Sequence, residues 1–100
     1  MEVKVAELLS MRDLALRSWA EELFRSLAER KGQVFVLDFS NIEFVSRSFA
    51  HEYLKEKQTF SASIREKNMN ANVKQMFELA AQLPNKKNTK IVRPNVIQNL

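Results

Sequence analysis

The chain has 100 residues, a length that allows one domain with a single hydrophobic core. It contains no cysteine, which excludes disulfides and thiolate chemistry. Its formal net charge is +4, from sixteen basic and twelve acidic residues. Bases and acids balance up to residue 83, and the excess lies beyond that point, in Lys86, Lys87, Lys90 and Arg93. We therefore expect a neutral domain over residues 1–83 and a basic C-terminal tail or edge strand over residues 84–100.

The charge and hydropathy pattern also predicts the cellular location of the protein. The first residues contain no apolar run of signal-peptide length, and no stretch approaches the roughly 18 uncharged apolar residues of a membrane span. We therefore expect a cytoplasmic protein with no membrane partner. No internal repeat or low-complexity tract is evident.

The N-terminal third predicts a strand and then a helix. Residues 3–9 begin with apolar and polar residues in alternation, which is typical of a short strand. Ser10 fits the N-cap of a following helix, and Gly32 fits the position just after its end. The apolar positions of that helix recur at helical spacing, as Leu16, Ala20, Leu23 and Leu27.

The middle of the chain predicts a central strand. Val34 to Phe39 is a nearly continuous apolar run, which favours a strand covered on both faces in a parallel sheet. Asp38 lies toward its carboxyl end, and Ser40 suits the turn that follows. A second helix is predicted to begin between Ser46 and Ser48.

The remaining segments complete an alternating order. Residues 60–65 predict a weaker strand, and residues 73–83 predict a third helix that Pro84 ends. Residues 89–93 fit a last edge strand, since Pro94 is tolerated only at a sheet edge. The order predicts an α/β fold, a small mostly parallel sheet of three or four strands with three helices.

Recognisable catalytic machinery is scarce. One glycine cannot build a phosphate-binding loop, and no serine lies in a Gly-x-Ser-x-Gly turn. His51 is the only histidine, which excludes a paired-histidine metal site, and no spaced carboxylate cluster stands out. We therefore predict no catalytic residue, no metal and no cofactor, and expect a protein that is not an enzyme.

The segment from Val34 to Leu54 carries a family resemblance. Leu37-Asp38-Phe39 ends a strand, and Ser48-Phe49-Ala50-His51-Glu52 begins a helix. This arrangement resembles the STAS domains of anti-sigma-factor antagonists and sulfate transporter tails. It is more similar still to a STAS-like family of unknown function. Two positions depart from the antagonist pattern, because Ser46 stands where the antagonists have aspartate and Phe49 where they have glycine.

The resemblance implies a regulatory module that binds a protein partner, such as a kinase or an ATPase-type switch protein. In the antagonists a partner kinase phosphorylates the second serine of the helix start, which resembles Ser48 here. The predicted partner-binding residues are Asp38, Ser40, Ser46, Arg47, Ser48, His51 and Glu52. Each also has a simpler interpretation: one serine caps the helix, Asp38 binds backbone N–H groups of its turn, and His51 and Glu52 lie on an exposed helix face.

Two other functions stay open. The basic residues Lys86, Lys87, Lys90 and Arg93 could contact nucleic-acid phosphates, with salt-sensitive and sequence-independent affinity. No aromatic residue lies among them, which argues against stacking on single strands. The carboxyl ends of the strands could instead bind a nucleotide or another small molecule, as they do in many open α/β sheets.

Overall fold

The structure, a computed structural model, describes residues 1–82. Predictions that concern the basic tail, Pro84 and residues 89–93 lie outside the described residues. Within them the chain is an α/β protein, as predicted. Its elements in chain order are β1 (Glu2–Lys4), α1 (Val5–Leu9), β2 (Asp13–Leu14), α2 (Arg17–Ala28), β3 (Val34–Asp38), β4 (Phe44–Val45), α3 (Arg47–Thr59), β5 (Ser63–Lys67) and α4 (Ala71–Gln82).

Three strands form one parallel sheet in the order β1-β3-β5. The central position of β3 confirms the prediction from its apolar run. Val3 pairs with Leu37 and Phe35 pairs with Ile64. These four residues are buried, and they lie on one face of the sheet because paired residues of adjacent strands share a face.

The opposite face of this sheet is open among the described residues. Val34 is 43% exposed and Val36 is half-buried, while Arg65 and Lys67 lie exposed on the neighbouring strand. The expectation that β3 is covered on both faces is therefore wrong for residues 1–82. An apolar run shows that a strand is central, and it does not show how many layers cover it.

The core is built around aromatic rings. Tyr53 of α3 is 1% exposed and lies between Phe24 of α2 and Phe77 of α4, with ring centroids 5.2 and 4.9 Å away. Phe39, which follows β3, lies 6.1 Å from the same ring in an edge-to-face arrangement. Tyr53 therefore connects all three large helices to the loop that leaves the central strand.

The N-terminal prediction was wrong in two respects. Residues 3–9 are not one strand, because β1 ends at Lys4 and α1 begins at Val5. The buried residues Val5 and Leu9 are four positions apart, which places both on one face of a helix. Ser10 does not cap the next helix: it ends α1 in the left-handed conformation, with φ 57°. The next helix, α2, begins seven residues later at Arg17, after an extended Leu16 that is 58% exposed.

Two later boundaries also differ from prediction. Helix α2 ends at Ala28, so Gly32 does not terminate it, and no glycine of the described chain has positive φ. The glycine at position 32 is explained instead by the Phe35 ring, which packs so close to the backbone that a Cβ at this position would lie 3.3 Å from it. Strand β5 begins at Ser63, three residues after the predicted start.

A second, two-stranded parallel sheet was not predicted. β2 pairs with β4, with Asp13 opposite Phe44 and Leu14 opposite Val45. Two-residue strands are too short to show the alternation that identifies a strand in sequence. This pair joins the segment before α2 to the segment before α3. Among the described helices, none is long and apolar enough to cross a membrane.

A candidate docking surface at the carboxyl end of the sheet

The starts of α2, α3 and α4 are held together at one edge of the molecule, which we call the rim. The Ser46 hydroxyl donates a hydrogen bond of 2.8 Å to the Ala15 carbonyl, joining the starts of α3 and α2. The Asn70 side-chain amide donates to the carbonyls of Ile42 and Glu43, joining the start of α4 to the segment before β4. Carboxyl ends of parallel strands and the helices that follow them meet at this edge, where open α/β sheets place ligands.

Asp38 joins two loops of the rim through side-chain hydrogen bonds. Its Oδ1 accepts from the Ser40 hydroxyl, from the Ser40 backbone N–H at 2.9 Å and from the Asn68 amide at 3.0 Å. These donors, in that order of importance, lower the pKa of Asp38 from 3.8 to about 2, and the positive charge of Lys67 contributes further. Asp38 is only 4% exposed. It is therefore the acceptor that joins the β3–β4 turn to the end of β5.

The two serines at the start of α3 have different environments. Ser46 is the N-cap, and its hydroxyl accepts the Phe49 backbone N–H at 3.0 Å. Ser48 is exposed and is the second residue of the helix. Arg47 and His51 are exposed on the same first turn. Of the seven predicted partner-binding residues, the structure brings these three to the surface next to one another.

Glu52 lies on the other side of α3. It is 6% exposed, so the expectation of an exposed Glu52 was wrong. Its Oε1 faces Arg17 of α2, whose Nε lies 3.9 Å away. Burial raises the pKa of the neighbouring Glu56, and a hydrogen bond with Glu52 and the negative charge of Glu52 raise it further. Glu52 therefore belongs to the α2–α3 contact rather than to a free surface.

Arg17 was missing from the predicted residues, although the sequence carries a signal for it. Residues 17–22 read Arg-Ser-Trp-Ala-Glu-Glu and residues 47–52 read Arg-Ser-Phe-Ala-His-Glu, so a short pattern recurs at the start of both helices. Each copy follows one strand of the β2–β4 pair. The alanines of the two copies, Ala20 and Ala50, are both fully buried, which suits closely packed helices. The chain therefore does contain one short internal repeat, contrary to the expectation from the sequence.

An apolar cavity of about 250 Å³ lies beside the start of α3. Phe44 and Leu79 are each 44% exposed at its margin, and both are large apolar side chains. Met76 is half-buried and lines this cavity. The remaining lining residues are Val45, Asn72 and Gln75. Arg47 follows β4 after one intervening residue, so the first turn of α3 begins next to the strand that supplies Phe44 and Val45 to the cavity.

Within residues 1–82, no three His, Cys, Asp or Glu side chains are grouped closely enough to hold a metal ion. Compared with known protein families, with curated proteins and with solved structures, the chain gives no match. The class that the structure defines is a small parallel α/β domain with an apolar cavity beside the start of a helix.

The contact between Arg17 and Glu52 predicts a measurable coupling. Arg17→Met should lower the free energy of unfolding by about 1–2 kcal/mol, because the buried Glu52 carboxylate loses its nearest cation. The double variant Arg17→Met, Glu52→Gln should recover part of that loss in urea unfolding. The control is Arg25→Met, which removes an exposed pair with Glu22 and should cost at most about 0.5 kcal/mol. Strictly additive effects would show that Arg17 does not stabilise Glu52.

Proposed function

We propose that the chain is a regulatory protein-binding module of the STAS-like kind, whose partner docks on the first turn of α3 and the adjoining apolar cavity. One observation carries the proposal. The start of α3 exposes Arg47, Ser48 and His51 directly after β4. Phe44 of β4 is also exposed, and it lines the same cavity as Leu79. The two hydrogen bonds of the Ser46 hydroxyl hold that turn in place without using any of these three side chains.

The chemistry of the surface suits a protein partner. Protein interfaces combine an apolar centre, which supplies most of the affinity, with a polar margin that sets orientation. Here Phe44, Met76 and Leu79 provide the apolar centre. Arg47 and His51 provide the polar margin, and the Arg47 guanidinium suits a carboxylate of the partner. A partner with an apolar anchor next to an acidic side chain would complement both parts.

Phosphorylation of Ser48 is the proposed switch. Phosphate at the second residue of α3 would meet free backbone N–H groups and the positive end of the helix dipole, so the folded domain would tolerate it. It would also add a charge of about −1.5 to −2 to the docking surface and repel an acidic partner. The kinase or ATPase-type switch protein implied by the STAS resemblance would be the partner.

The test uses the full chain and its purified partner, identified by co-purification from the native cell. Ser48→Asp, Arg47→Glu and Phe44→Ser should each weaken binding at least about tenfold, a loss of about 1.4 kcal/mol, while circular dichroism stays native. Ser18→Asp is a matched control, because Ser18 is the exposed second residue of α2. Lys31→Glu, in the loop before β3 at the opposite edge of the sheet, controls for charge reversal. Unchanged affinity in all three test variants would refute the proposal.

A further inference from the structure

Leu16, at the start of α2, exposes an apolar side chain at a position where helices favour a polar one. It is the N-cap of α2, its side chain makes no capping hydrogen bond, and it is 58% exposed. Serine, threonine, asparagine and aspartate stabilise an N-cap, because their side chains accept a backbone N–H of the first turn. A leucine here gives up that stabilisation and leaves apolar surface in water.

The other copy of the internal repeat shows what a capping residue does at this position. Leu16 directly precedes the first copy, as Ser46 directly precedes the second. Both backbones are extended, with φ and ψ of −110° and 141° at Leu16 and of −80° and 166° at Ser46. The Ser46 hydroxyl accepts the Phe49 N–H at 3.0 Å. The Trp19 N–H instead donates to the backbone carbonyl of Leu16, at 3.1 Å. The backbone at position 16 therefore suits a serine cap that the chain does not have.

Leu16 is also not needed to fill the core. It belongs neither to the buried core of residues 1–82 nor to the half-buried side chains that pack against that core. A single exposed leucine is ordinary on a protein surface. One that also stands in place of a helix cap is a local conflict between sequence and fold, and such conflicts concentrate at functional sites.

Leu16 lies at the rim, beside the exposed turn of α3. The Ser46 hydroxyl donates to the Ala15 carbonyl at 2.8 Å, and the Ser46 N–H donates to the Leu14 carbonyl at 2.9 Å. These two bonds join the residues just before Leu16 to the residue just before Arg47. Positions 16 and 47 are therefore neighbours across the β2–β4 pair. The exposed Arg47 gives the surroundings of Leu16 a positive charge.

We propose that Leu16 is a contact residue for the protein partner, which places an apolar side chain against it next to the acidic group that Arg47 binds. The occupant is a segment of the partner in which an apolar and an acidic residue lie close together, as the charge of Arg47 requires. The inference rests on the proposed function and deepens it, because it adds a contact on α2 to those on α3 and in the cavity. It also explains why leucine, rather than a capping residue, stands at position 16.

Two substitutions in the full chain separate contact from capping. Leu16→Ser can cap α2 but is polar, whereas Leu16→Met stays apolar and cannot cap. In urea unfolding, Leu16→Ser should lower the equilibrium constant of unfolding about threefold, and Leu16→Met should change it by less than about twofold. With the purified partner of the proposed function, Leu16→Ser should weaken binding at least about fivefold and Leu16→Met less than about twofold. A variant that is more stable and yet binds more weakly excludes a purely structural role.

Photo-crosslinking in the native cell shows which molecule covers Leu16. The full chain carries p-benzoylphenylalanine at position 16 or, separately, at position 44. Both forms should link to the same protein, and the peptide linked at position 16 should contain an acidic residue. Val34, which is 43% exposed at the amino end of β3, supplies the control position and should not link to that protein. A link from position 16 to a second copy of the chain, or to the chain itself, would overturn the proposal.

The inference and the proposed function fail in different ways. If Leu16→Ser binds like wild type while Phe44→Ser loses affinity, Leu16 is not a contact residue and the proposed docking on α3 stands. If both variants bind like wild type, both proposals are wrong. A Leu16→Ser variant that is less stable than wild type would mean that Leu16 packs within its own chain, and this result also overturns the inference.

Discussion

Replacing Tyr53 with alanine is expected to lower the free energy of unfolding by about 3–5 kcal/mol, a large share of the stability of a domain of this size. The ring is 1% exposed and lies within 6.2 Å, between ring centroids, of Phe24, Phe39, Phe49 and Phe77. Its removal would leave a cavity where three helices meet. Urea denaturation monitored by circular dichroism measures the loss.

Tyr53→Phe separates packing from hydrogen bonding at the same position. It keeps the ring and removes the hydroxyl that donates to Glu66 at 2.5 Å, so it should cost about 1–2 kcal/mol. Burial first, and then the negative charge of Glu66, raise the pKa of Tyr53 above its ordinary value, so the hydroxyl remains a donor near neutral pH. If Tyr53→Ala cost no more than Tyr53→Phe, the ring cluster would not be the centre of the core.

Asp38→Ala is expected to cost about 2–4 kcal/mol at neutral pH, because the Ser40 N–H and hydroxyl and the Asn68 amide lose a charged acceptor. The pKa of Asp38 is lower in the folded chain than its ordinary value, so its contribution is complete above the ordinary pKa of 3.8. It is lost as the pH falls from there through about 2. Unfolding at a series of pH values in this range measures the loss.

The only other aspartate supplies the control. Asp38→Asn should remove the part of the acid destabilisation that falls between pH 3.8 and about 2, whereas Asp13→Asn, at an exposed site in β2, should leave it unchanged. An Asp38→Asn variant whose stability still falls in parallel with wild type over this interval would contradict the assigned role of Asp38.

Part of the rim could be predicted from the sequence because its signals are local. The apolar run before Asp38 predicted a central strand, and the simpler of the two interpretations of Asp38, that it binds a backbone N–H group of its turn, agrees with its hydrogen bond from Ser40. The prediction that a helix begins between Ser46 and Ser48 is also confirmed, since an N-cap depends on one residue and the few residues that follow it.

The parts that escaped prediction depend on contacts between distant segments. Whether His51 or Glu52 faces solvent is decided by where α2 packs on α3, and helical spacing alone did not settle it. Asn68 and Asn70 lie between β5 and α4, and their side-chain amides donate hydrogen bonds to groups about 30 residues earlier, Asp38 and the carbonyls of Ile42 and Glu43. The sequence did not indicate that Phe44 is exposed, because a two-residue strand is too short to show an alternation of buried and exposed residues.

The most direct measurement of the proposed docking surface is a hydrogen-exchange footprint of the purified partner bound to the full chain. Binding should slow exchange over residues 44–51 and 72–79, which contain the first turn of α3 and the apolar cavity, and leave residues 25–33 at the opposite edge unchanged. A footprint confined to the open face of the sheet, or to α2 alone, would contradict it.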